Sequence, residues 1–254
     1  ASSCPRCSAA TATPSSGTRS SRLMRILVDS LIEGTRRARG TVVIIDVFRA
    51  FTTEAVAFQR GARKIILVGS PEEALRLRSD GIADLCVGEV HGMRPPGFDF
   101  NNSPYEMSQA DVEGKVIAHS TMAGTVGVTT AANADEIYVG SLVIARSTVE
   151  AILRDSPDLV TIVAMGDGGK VRTDEDEQCA LYMRNLLDGR NPDPDAVRSL
   201  VMACDQAAKF DDPAKPHFRP EDREAALRID SVPFAIKVSR EDGMLVSRPV
   251  GGRP

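Results

Sequence analysis

Four segments of this 254-residue chain combine acidic, basic and hydroxyl side chains in patterns that could bind a metal ion and an anion. The first holds Asp46 and Arg49 together with Thr52 and Thr53. A carboxylate at a strand end is a good metal ligand, and an arginine with two hydroxyls at a helix N-terminus suits an oxyanion. In a purely structural alternative, Thr52 or Thr53 caps the helix while Asp46 pairs with Arg49.

The second segment begins at Gly88-Glu89 and continues through a long polar loop. Compact domains usually keep loops of this length for binding or gating. The candidate side chains in it are Glu89, His91, Arg94, Asp99, Asn101, Asn102 and Ser103. A lone loop histidine is more often solvated than a ligand, so the carboxylate and the arginine are the stronger candidates.

The third and fourth segments add backbone and carboxylate groups. Thr121, Gly124 and Thr125 lie where small residues enter a helix. Backbone amides can approach an anion closely there, although a tight turn that needs glycine explains the same pattern. The fourth segment is a glycine-rich loop followed by acids that include Glu175 and Asp176, which either complement the helix dipole or turn inward to a metal. The four segments together suit a divalent cation and a small doubly anionic substrate.

The spacing excludes several familiar catalytic sites. A haloacid-type phosphatase has a second aspartate two positions after its nucleophile, but Phe48 stands there after Asp46. Cys86, Cys179 and Cys204 lack the arginine six residues later that a thiolate phosphatase needs. The chain also contains no P-loop, no Gly-x-Ser-x-Gly and no His-Glu-x-x-His. Covalent phosphoryl transfer to cysteine is therefore not expected.

Short apolar runs alternate along the chain with helical patterns, and the strands and helices that they predict must position these four segments. Continuous apolar runs of this kind belong to strands covered on both faces, and ligands collect at the carboxyl ends of such strands. The predicted strands span 41–47, 64–70, 84–90, 115–121, 136–141 and 159–166. Helices are predicted after Ser70 and Ser103, near Gly124, from Thr173, and at 193–209 and 220–229. Two runs in which apolar and polar residues alternate flank Asp242-Gly243 and predict a β-hairpin. The fold class is therefore α/β, a three-layer α/β/α architecture with a mixed, mostly parallel sheet.

Composition limits the partners of the chain. A net charge of −4 gives no strong positive electrostatic field that would attract nucleic acid or an anionic membrane. Only 4% of the residues are aromatic and none is Trp, so few side chains could stack on nucleic-acid bases. The apolar runs are far shorter than the roughly 20 residues that span a bilayer. We therefore expect no nucleic-acid or membrane partner. Cysteines within apolar stretches fit a reducing cytoplasm.

The N-terminal residues differ from the rest of the chain. Residues 1–23 are rich in Ser, Thr, Ala and Arg and lack apolar periodicity, which predicts a disordered N-terminal extension before one domain at 24–254. This composition also resembles an organellar transit peptide, whereas Met24 resembles a bacterial start. Cys4 and Cys7 have the spacing of half a zinc site, but no second pair follows.

The motifs DVFRAFTT, GEVHGMRPPGFDFNNSP, HSTMAGTVG and RTDEDEQCA resemble, in order and spacing, those of the 2-phosphosulfolactate phosphatase family. The likeness runs from about Met24 to Pro249. It implies a magnesium-dependent phosphatase that converts 2-phospho-3-sulfolactate to 3-sulfolactate and phosphate, an activity associated with coenzyme M biosynthesis. Two departures stand out. Asn101 replaces a glycine of the family, and Thr121-Met122-Ala123-Gly124-Thr125 replaces Thr-Thr-Asn-Gly-Thr, where a lost asparagine could change substrate discrimination.

The motifs and the resemblance together give each candidate a role. Asp46, Glu89 and one of Glu175 or Asp176 are expected to hold Mg²⁺, while direct attack by water follows from the absence of a placed nucleophile. The residues expected to bind the substrate's anionic groups are Arg49, Arg94, Thr52, Thr53, Asn102, Ser103, Thr121, Gly124 and Thr125. Two alternatives stay open: a phosphatase for another small organophosphate acid, and a non-catalytic protein that binds a phosphorylated or sulfonated acid. A homodimer is common for α/β enzymes of this size and is a candidate assembly.

Overall fold

The computed structural model of the chain describes Ala1 and residues 24–252, and ten strands form one sheet within that part. Apart from Ala1, the predicted N-terminal extension with Cys4 and Cys7 lies outside the described residues. The strands are β1 (Arg25–Ser30), β2 (Gly40–Ile45), β3 (Lys64–Val68), β4 (Leu85–Gly88), β5 (Phe100–Asn101), β6 (Val116–Ser120), β7 (Ala134–Gly140), β8 (Leu159–Ala164), β9 (Phe234–Glu241) and β10 (Met244–Gly251).

The sheet consists of two parallel groups joined by a central hairpin. The strand order is β1-β8-β2-β7-β9-β10-β3-β6-β4-β5. Pairing is parallel within β1-β8-β2-β7 and within β3-β6-β4-β5, and antiparallel at β7-β9, β9-β10 and β10-β3. The predicted mixed, mostly parallel α/β sheet is therefore confirmed. Three successive antiparallel pairings also mean that the two parallel groups run in opposite directions.

The sheet nevertheless brings the carboxyl ends of both groups together. In a flat sheet these ends would lie at opposite edges, yet the Gly124 amide, beyond β6, lies 2.9 Å from Oδ2 of Asp46, beyond β2. Strands twist by roughly 20–25° each, so the twist accumulates over ten strands. The sheet coils, and its inner face encloses one apolar core to which both groups contribute, for example Ile44 of β2 and Leu67 of β3.

Ten α-helices cover the sheet in the described part of the chain. They are α1 (Leu31–Arg37), α2 (Ala50–Gln59), α3 (Pro71–Ser79), α4 (Pro104–Gln109), α5 (Gly124–Thr130), α6 (Ala145–Asp155), α7 (Asp174–Leu187), α8 (Pro194–Met202), α9 (Asp205–Ala208) and α10 (Pro220–Ala226). Two further apolar clusters lie on the outer face, one against each parallel group. No helix between residues 24 and 252 has the length and apolar character needed to cross a membrane.

Local signals in the sequence match several element boundaries. The Ser70 and Ser103 hydroxyls accept hydrogen bonds from the amides of Glu73 and Glu106, and Pro occupies the first position of α3 and α4, as predicted. The hairpin turn at Asp242-Gly243 has φ of 49° and 81°, the left-handed values that this two-residue turn requires.

Other boundaries differ from the expectation. Strands β1 and β5 were not predicted, because β1 opens the described chain without a preceding turn signal and β5 is only two residues long. The single helix expected at 193–209 is interrupted after Met202, and a 3₁₀ turn follows α9 at Lys209–Asp211. The described cysteines, Cys86, Cys179 and Cys204, are buried and free, as core residues.

Candidate active site

The strand-end loops of both parallel groups meet at one cavity of about 320 Å³. Seven of the candidate residues from the sequence line it: Asp46, Arg49, Glu89, His91, Asn102, Glu175 and Asp176. The glycine-rich loop also reaches the cavity through Gly166, Asp167 and Gly168. The four segments identified by their chemistry therefore converge in space.

Asp46 joins the first segment to the third. Its Oδ1 accepts the amide of Ala50 at the first position of α2, at 3.0 Å, and its Oδ2 accepts the amide of Gly124 at the start of α5. Position 124 has no room for a side chain, because a Cβ there would lie 2.9 Å from Oδ2 of Asp46. Glycine at this position thus permits the close approach that links the two loops.

Glu89 and Asp176 hold the remaining loops in the same way. Glu89 accepts the amides of Gly92 and Met122 at 2.7 and 2.8 Å. Asp176, at the start of α7, accepts those of Val47 and Gly166 at 2.7 and 2.8 Å. Each of the three carboxylates Asp46, Glu89 and Asp176 therefore receives two backbone N–H groups, which fixes the carboxylates and the loops together.

Burial, together with neighbouring negative charge, raises the pKa of three carboxyl groups of the cavity. Burial is the main cause for Asp46, whose pKa is raised to about 6, with a contribution from the charge of Glu89. Burial and the charge of Asp46 raise the pKa of Glu175 to about 7. Burial, Glu175 and Asp46 hold the pKa of Asp176 well above its usual range. A cation in the cavity would relieve this repulsion and favour the ionised carboxylates.

Three buried oxygen atoms of residues in the cavity lining have no hydrogen-bond partner among the described residues: Glu175 Oε2, Asn102 Oδ1 and Thr173 Oγ1. Buried polar atoms are nearly always satisfied, so each unpaired oxygen calls for a ligand. The Glu175 carboxylate and the Asn102 amide oxygen are hard donors of the kind that Mg²⁺ prefers. No group of three or more His, Cys, Asp or Glu within the described part of the chain is arranged as a metal site, so the expected set of Asp46, Glu89 and one of Glu175 or Asp176 does not come together as three ligands. This donor set fits Mg²⁺, which binds one or two carboxylates and keeps several waters.

Arg49 lines the cavity, but its ion-pair partner is not Asp46, the partner that the purely structural alternative expected. Its Nη1 donates to Asp222 Oδ2 at 2.7 Å, so the expected pair with Asp46 is wrong. The hydroxyls of Thr52 and Thr53 also do not cap α2, because they donate to the Val47 and Arg49 carbonyls. Both threonines are buried in the helix, away from the cavity, and the prediction that they contact substrate is not supported by their position.

Five other predicted substrate contacts lie outside the cavity lining. The Arg94 guanidinium donates to the Asp99 carbonyl at the surface, at 3.0 Å. Ser103 donates its hydroxyl to Asp222 at 2.6 Å. The Thr125 amide donates to the Thr121 hydroxyl at 3.1 Å, and the Gly124 amide is already bound to Asp46. These groups stabilise the loops, so the expected anion cradle of free Gly124 and Thr125 amides is corrected.

The sequence prediction missed one wall of the cavity. This wall, the C-terminal wall, consists of residues 206–218 and contributes Gln206, Lys209, Phe210, Lys215, His217 and Phe218. It follows no strand, so a search of strand ends could not find it. Its only signal was the density of Lys, His and Phe at 209–218 in a chain with three His and eight Phe. Burial, Arg49 and Lys215 lower the pKa of His217, which favours its neutral form.

A family model and individual relatives of known name point to the same protein family. The family model described as 2-phosphosulpholactate phosphatase matches residues 26–220. A protein of Bacillus subtilis (strain 168) named "Probable 2-phosphosulfolactate phosphatase" is 30% identical over 205 residues, which cover 79% of this chain and 87% of the relative. A Deinococcus radiodurans protein of the same name is 33% identical over 165 residues, covering 65% of this chain and 68% of that protein.

Proposed function

This chain belongs to the 2-phosphosulfolactate phosphatase family, and we propose that it is a magnesium-dependent phosphatase that hydrolyses 2-phospho-3-sulfolactate to 3-sulfolactate and phosphate. The observation that carries the proposal is the charge distribution of the cavity. Buried carboxylates with raised pKa lie on the strand-end loops, while Lys209 and Lys215 lie on the C-terminal wall. A cation and a polyanionic ester complement this arrangement.

Asp46 and Glu175, whose charges act on each other across the cavity, are the proposed carboxylate ligands of Mg²⁺, with Asn102 Oδ1 as a further oxygen donor. Glu175 is preferred over Asp176 because its Oε2 is unpaired, whereas both oxygens of Asp176 accept backbone N–H groups. When bound, Mg²⁺ supplies charge neutralisation at the phosphoryl oxygens and orients a water molecule.

The other cavity residues bind and orient the ester. Among the described residues, the ion-pair partners of Lys209 and Lys215 are the solvent-accessible carboxylates of Asp167 and Asp212, at 3.3 and 3.4 Å, and ion pairs of this kind are weak. Their ammonium groups can therefore turn to the carboxylate and sulfonate of the substrate. Arg49 supplies a fixed guanidinium for the phosphoryl group.

Hydrolysis proceeds by direct attack of water on phosphorus. A bond forms between the water oxygen and phosphorus, the bond from phosphorus to the C2 oxygen breaks, and a water proton ends on that oxygen to give the hydroxy acid. Glu175, as a proposed ligand of Mg²⁺, would be ionised when the ion is bound, so the proton passes to the C2 oxygen through water rather than through this carboxylate.

The decisive experiment is phosphate release from a panel of phosphorylated hydroxy acids, with magnesium and with EDTA. We expect the highest kcat/KM for 2-phospho-3-sulfolactate and no turnover in EDTA. Equal activity in EDTA contradicts the magnesium assignment. Tight binding without phosphate release contradicts catalysis and favours a binding protein.

A second candidate, a phosphatase for another small organophosphate acid, is favoured by one specific position. Ala123, which replaces an asparagine of the family motif, lines the cavity and leaves no amide there to contact a substrate. The same panel separates the two candidates, because this alternative predicts a higher kcat/KM for a phosphate ester without the sulfonate.

A further inference from the structure

The guanidinium of Arg49 is held from three directions. Its Nη1 donates to Asp222 Oδ2 at 2.7 Å and to the His217 carbonyl at 2.9 Å, and its Nη2 donates to the Gly92 carbonyl at 3.2 Å. The ring of Phe218 lies 4.9 Å from its central carbon. Arginine has five N–H groups. Three are used in these bonds, and the other two have no acceptor within the part of the chain that the structure describes.

Asp222 is the only charged partner of Arg49 among the described residues, and it is itself fixed. It is fully buried and lies in the first turn of α10, outside the cavity lining. While Oδ2 binds Arg49, Oδ1 accepts the Ser103 hydroxyl at 2.6 Å and the Tyr105 amide at 2.9 Å. The carboxylate therefore ties α10 and the start of α4 to the guanidinium.

These contacts determine how Arg49 can face the cavity. A guanidinium is planar, so fixing one edge by a charged hydrogen bond determines the direction of the remaining N–H groups. The carbonyls of Gly92 and His217 fix the plane, but only Asp222 supplies a compensating charge in this buried environment.

We infer that Asp222 is a positioning residue that orients Arg49 to bind an anionic group of the substrate. Asp222 does not contact the ligand; it acts through the Arg49 guanidinium and, through the His217 carbonyl, on the C-terminal wall. The inference rests on the proposed function in that Arg49 binds the phosphoryl group. It assigns a role to a residue beyond the segment that the family model matches, which ends at residue 220.

The test measures anion binding directly, alongside catalysis. Asp222→Asn removes the charge while keeping the size of the side chain. We expect a rise of about tenfold or more in the Kd for inorganic phosphate, measured by titration calorimetry, and in KM for 2-phospho-3-sulfolactate, because hydrogen bonds to charged groups are lost or misdirected. Asp222→Glu, which keeps the charge, is expected to recover part of the affinity.

The chain contains a closely matched control for a purely structural effect. Asp230 accepts the Arg146 guanidinium at 3.1 Å, the Tyr182 hydroxyl at 2.6 Å and the Arg146 amide at 2.8 Å, and it does not line the cavity. It has the same three kinds of donor as Asp222. Asp230→Asn is expected to lower Tm while leaving KM and the Kd for phosphate within about twofold of wild type.

A double-mutant cycle tests whether Asp222 acts through Arg49. In an Arg49→Lys background, Asp222→Asn is expected to change the Kd for phosphate by no more than about twofold. An equal effect in both backgrounds, or wild-type Kd and KM in a folded Asp222→Asn protein, overturns the inference. If Asp222→Asn does not fold, Ser103→Ala carries the test: a Kd raised about threefold supports the inference, and an unchanged Kd overturns it.

If the proposed phosphatase activity is wrong, the experiments give a result that differs from failure of the Asp222 inference. A wild-type protein that binds inorganic phosphate but releases none from any ester is not a phosphatase, and the comparison of Kd values still decides the role of Asp222. A wild-type protein that binds no phosphate overturns the inference, because Arg49 then binds no phosphoryl group.

Discussion

At the scale of single residues, the carboxylates of the cavity serve two purposes. Asp46, Glu89 and Asp176 each bind two backbone amides from different loops, so they organise the cavity as well as supplying negative charge. A carboxylate can accept more than two hydrogen bonds, so a cation can still bind an oxygen that accepts an N–H group. Substitution at these positions therefore alters both loop geometry and chemistry.

Asp46→Asn is expected to lower kcat/KM by about 100-fold or more, since several kcal/mol of charge stabilisation are lost and each 1.36 kcal/mol is a factor of ten. Asparagine has one acceptor oxygen, so one of the Ala50 and Gly124 amides also loses its partner. We therefore expect a lower Tm as well. Phosphate-release kinetics and calorimetry check both effects. Full activity would contradict the role of Asp46, while the surface variant Arg60→Gln, beyond the far end of α2, should retain wild-type kinetics.

The raised pKa values predict an unusual dependence of stability on pH. A carboxyl whose pKa is higher in the folded state than in the unfolded state stabilises the fold at low pH and loses that contribution as pH rises through the folded value. Asp46 shifts from 3.8 to about 6 and Glu175 from 4.5 to about 7. In EDTA, the contribution of these groups should therefore decline between about pH 4 and pH 7, by about 3 kcal/mol for Asp46 alone.

Magnesium should reverse this decline. Because Mg²⁺ binds the ionised carboxylates, it should raise Tm strongly at pH 8 and little at pH 4.5. Glu175→Gln should be more stable than wild type in EDTA at pH 8 and respond less to magnesium. Thermal unfolding at matched ionic strength measures these shifts. An equal magnesium response at both pH values would count against a carboxylate site.

At the scale of elements, the C-terminal wall converts an acidic cavity into one that suits a polyanion. The 3₁₀ turn that follows α9 places Lys209 beside Asp167, at 3.3 Å, and the Lys209 charge partly offsets the effect of burial on the pKa of Glu175. Phe210 packs edge-on against Phe48 and Phe218, which anchors the wall to the loop between β2 and α2. The wall and the strand-end loops therefore form one unit.

Lys209→Gln is expected to raise KM for 2-phospho-3-sulfolactate by about tenfold, because one charged hydrogen bond to the ester is lost. A phosphate ester without further anionic groups should be affected less. Lys237, which pairs with Glu136 at 2.8 Å away from the cavity, provides the matched control Lys237→Gln. The same KM change for both esters would show that Lys209 does not recognise a second anionic group.

At the scale of the whole molecule, the hairpin β9-β10 holds the two parallel groups in one coiled sheet. Phe234 begins β9, is fully buried and packs edge-on against Phe58 of α2, with ring centres 6.5 Å apart. It belongs to the core to which both groups contribute. The cavity lies where loops from the two groups meet, so it depends on this central connection.

Phe234→Ala is expected to lower the free energy of unfolding by about 3–5 kcal/mol, the usual cost of a large cavity in a core. Unfolding should remain a single transition, since both groups share this core. Chemical denaturation followed by circular dichroism measures both quantities. The half-exposed Leu153 of α6 provides the control Leu153→Ala, with a much smaller effect. Two separate transitions would show that the parallel groups are independently stable.

The sequence alone determined most of the strands, the starts of several helices and the chemistry at their ends. Apolar runs gave the strands β2, β3, β4, β6, β7 and β8, and Ser-Pro pairs gave the starts of α3 and α4, because these signals act over a few neighbouring residues. Asp46, Glu89, Glu175 and Asp176 were identified for the same reason: carboxylates directly after buried strands, or at the start of a helix, are conspicuous in the sequence alone.

Only the tertiary structure decided which of these groups face the cavity. Ser103 turns to Asp222 and the Gly124 amide binds Asp46, because each of these two donors finds an acceptor that is distant in sequence. Arg94 turns to the surface and donates to the Asp99 carbonyl of its own loop. Local sequence patterns also could not predict the C-terminal wall or the pairing of Arg49 with Asp222. Both depend on the reversal of strand direction in the middle of the sheet and on the twist that accumulates over its ten strands. The accumulated twist is a property of the whole sheet, so no short stretch of sequence indicates it.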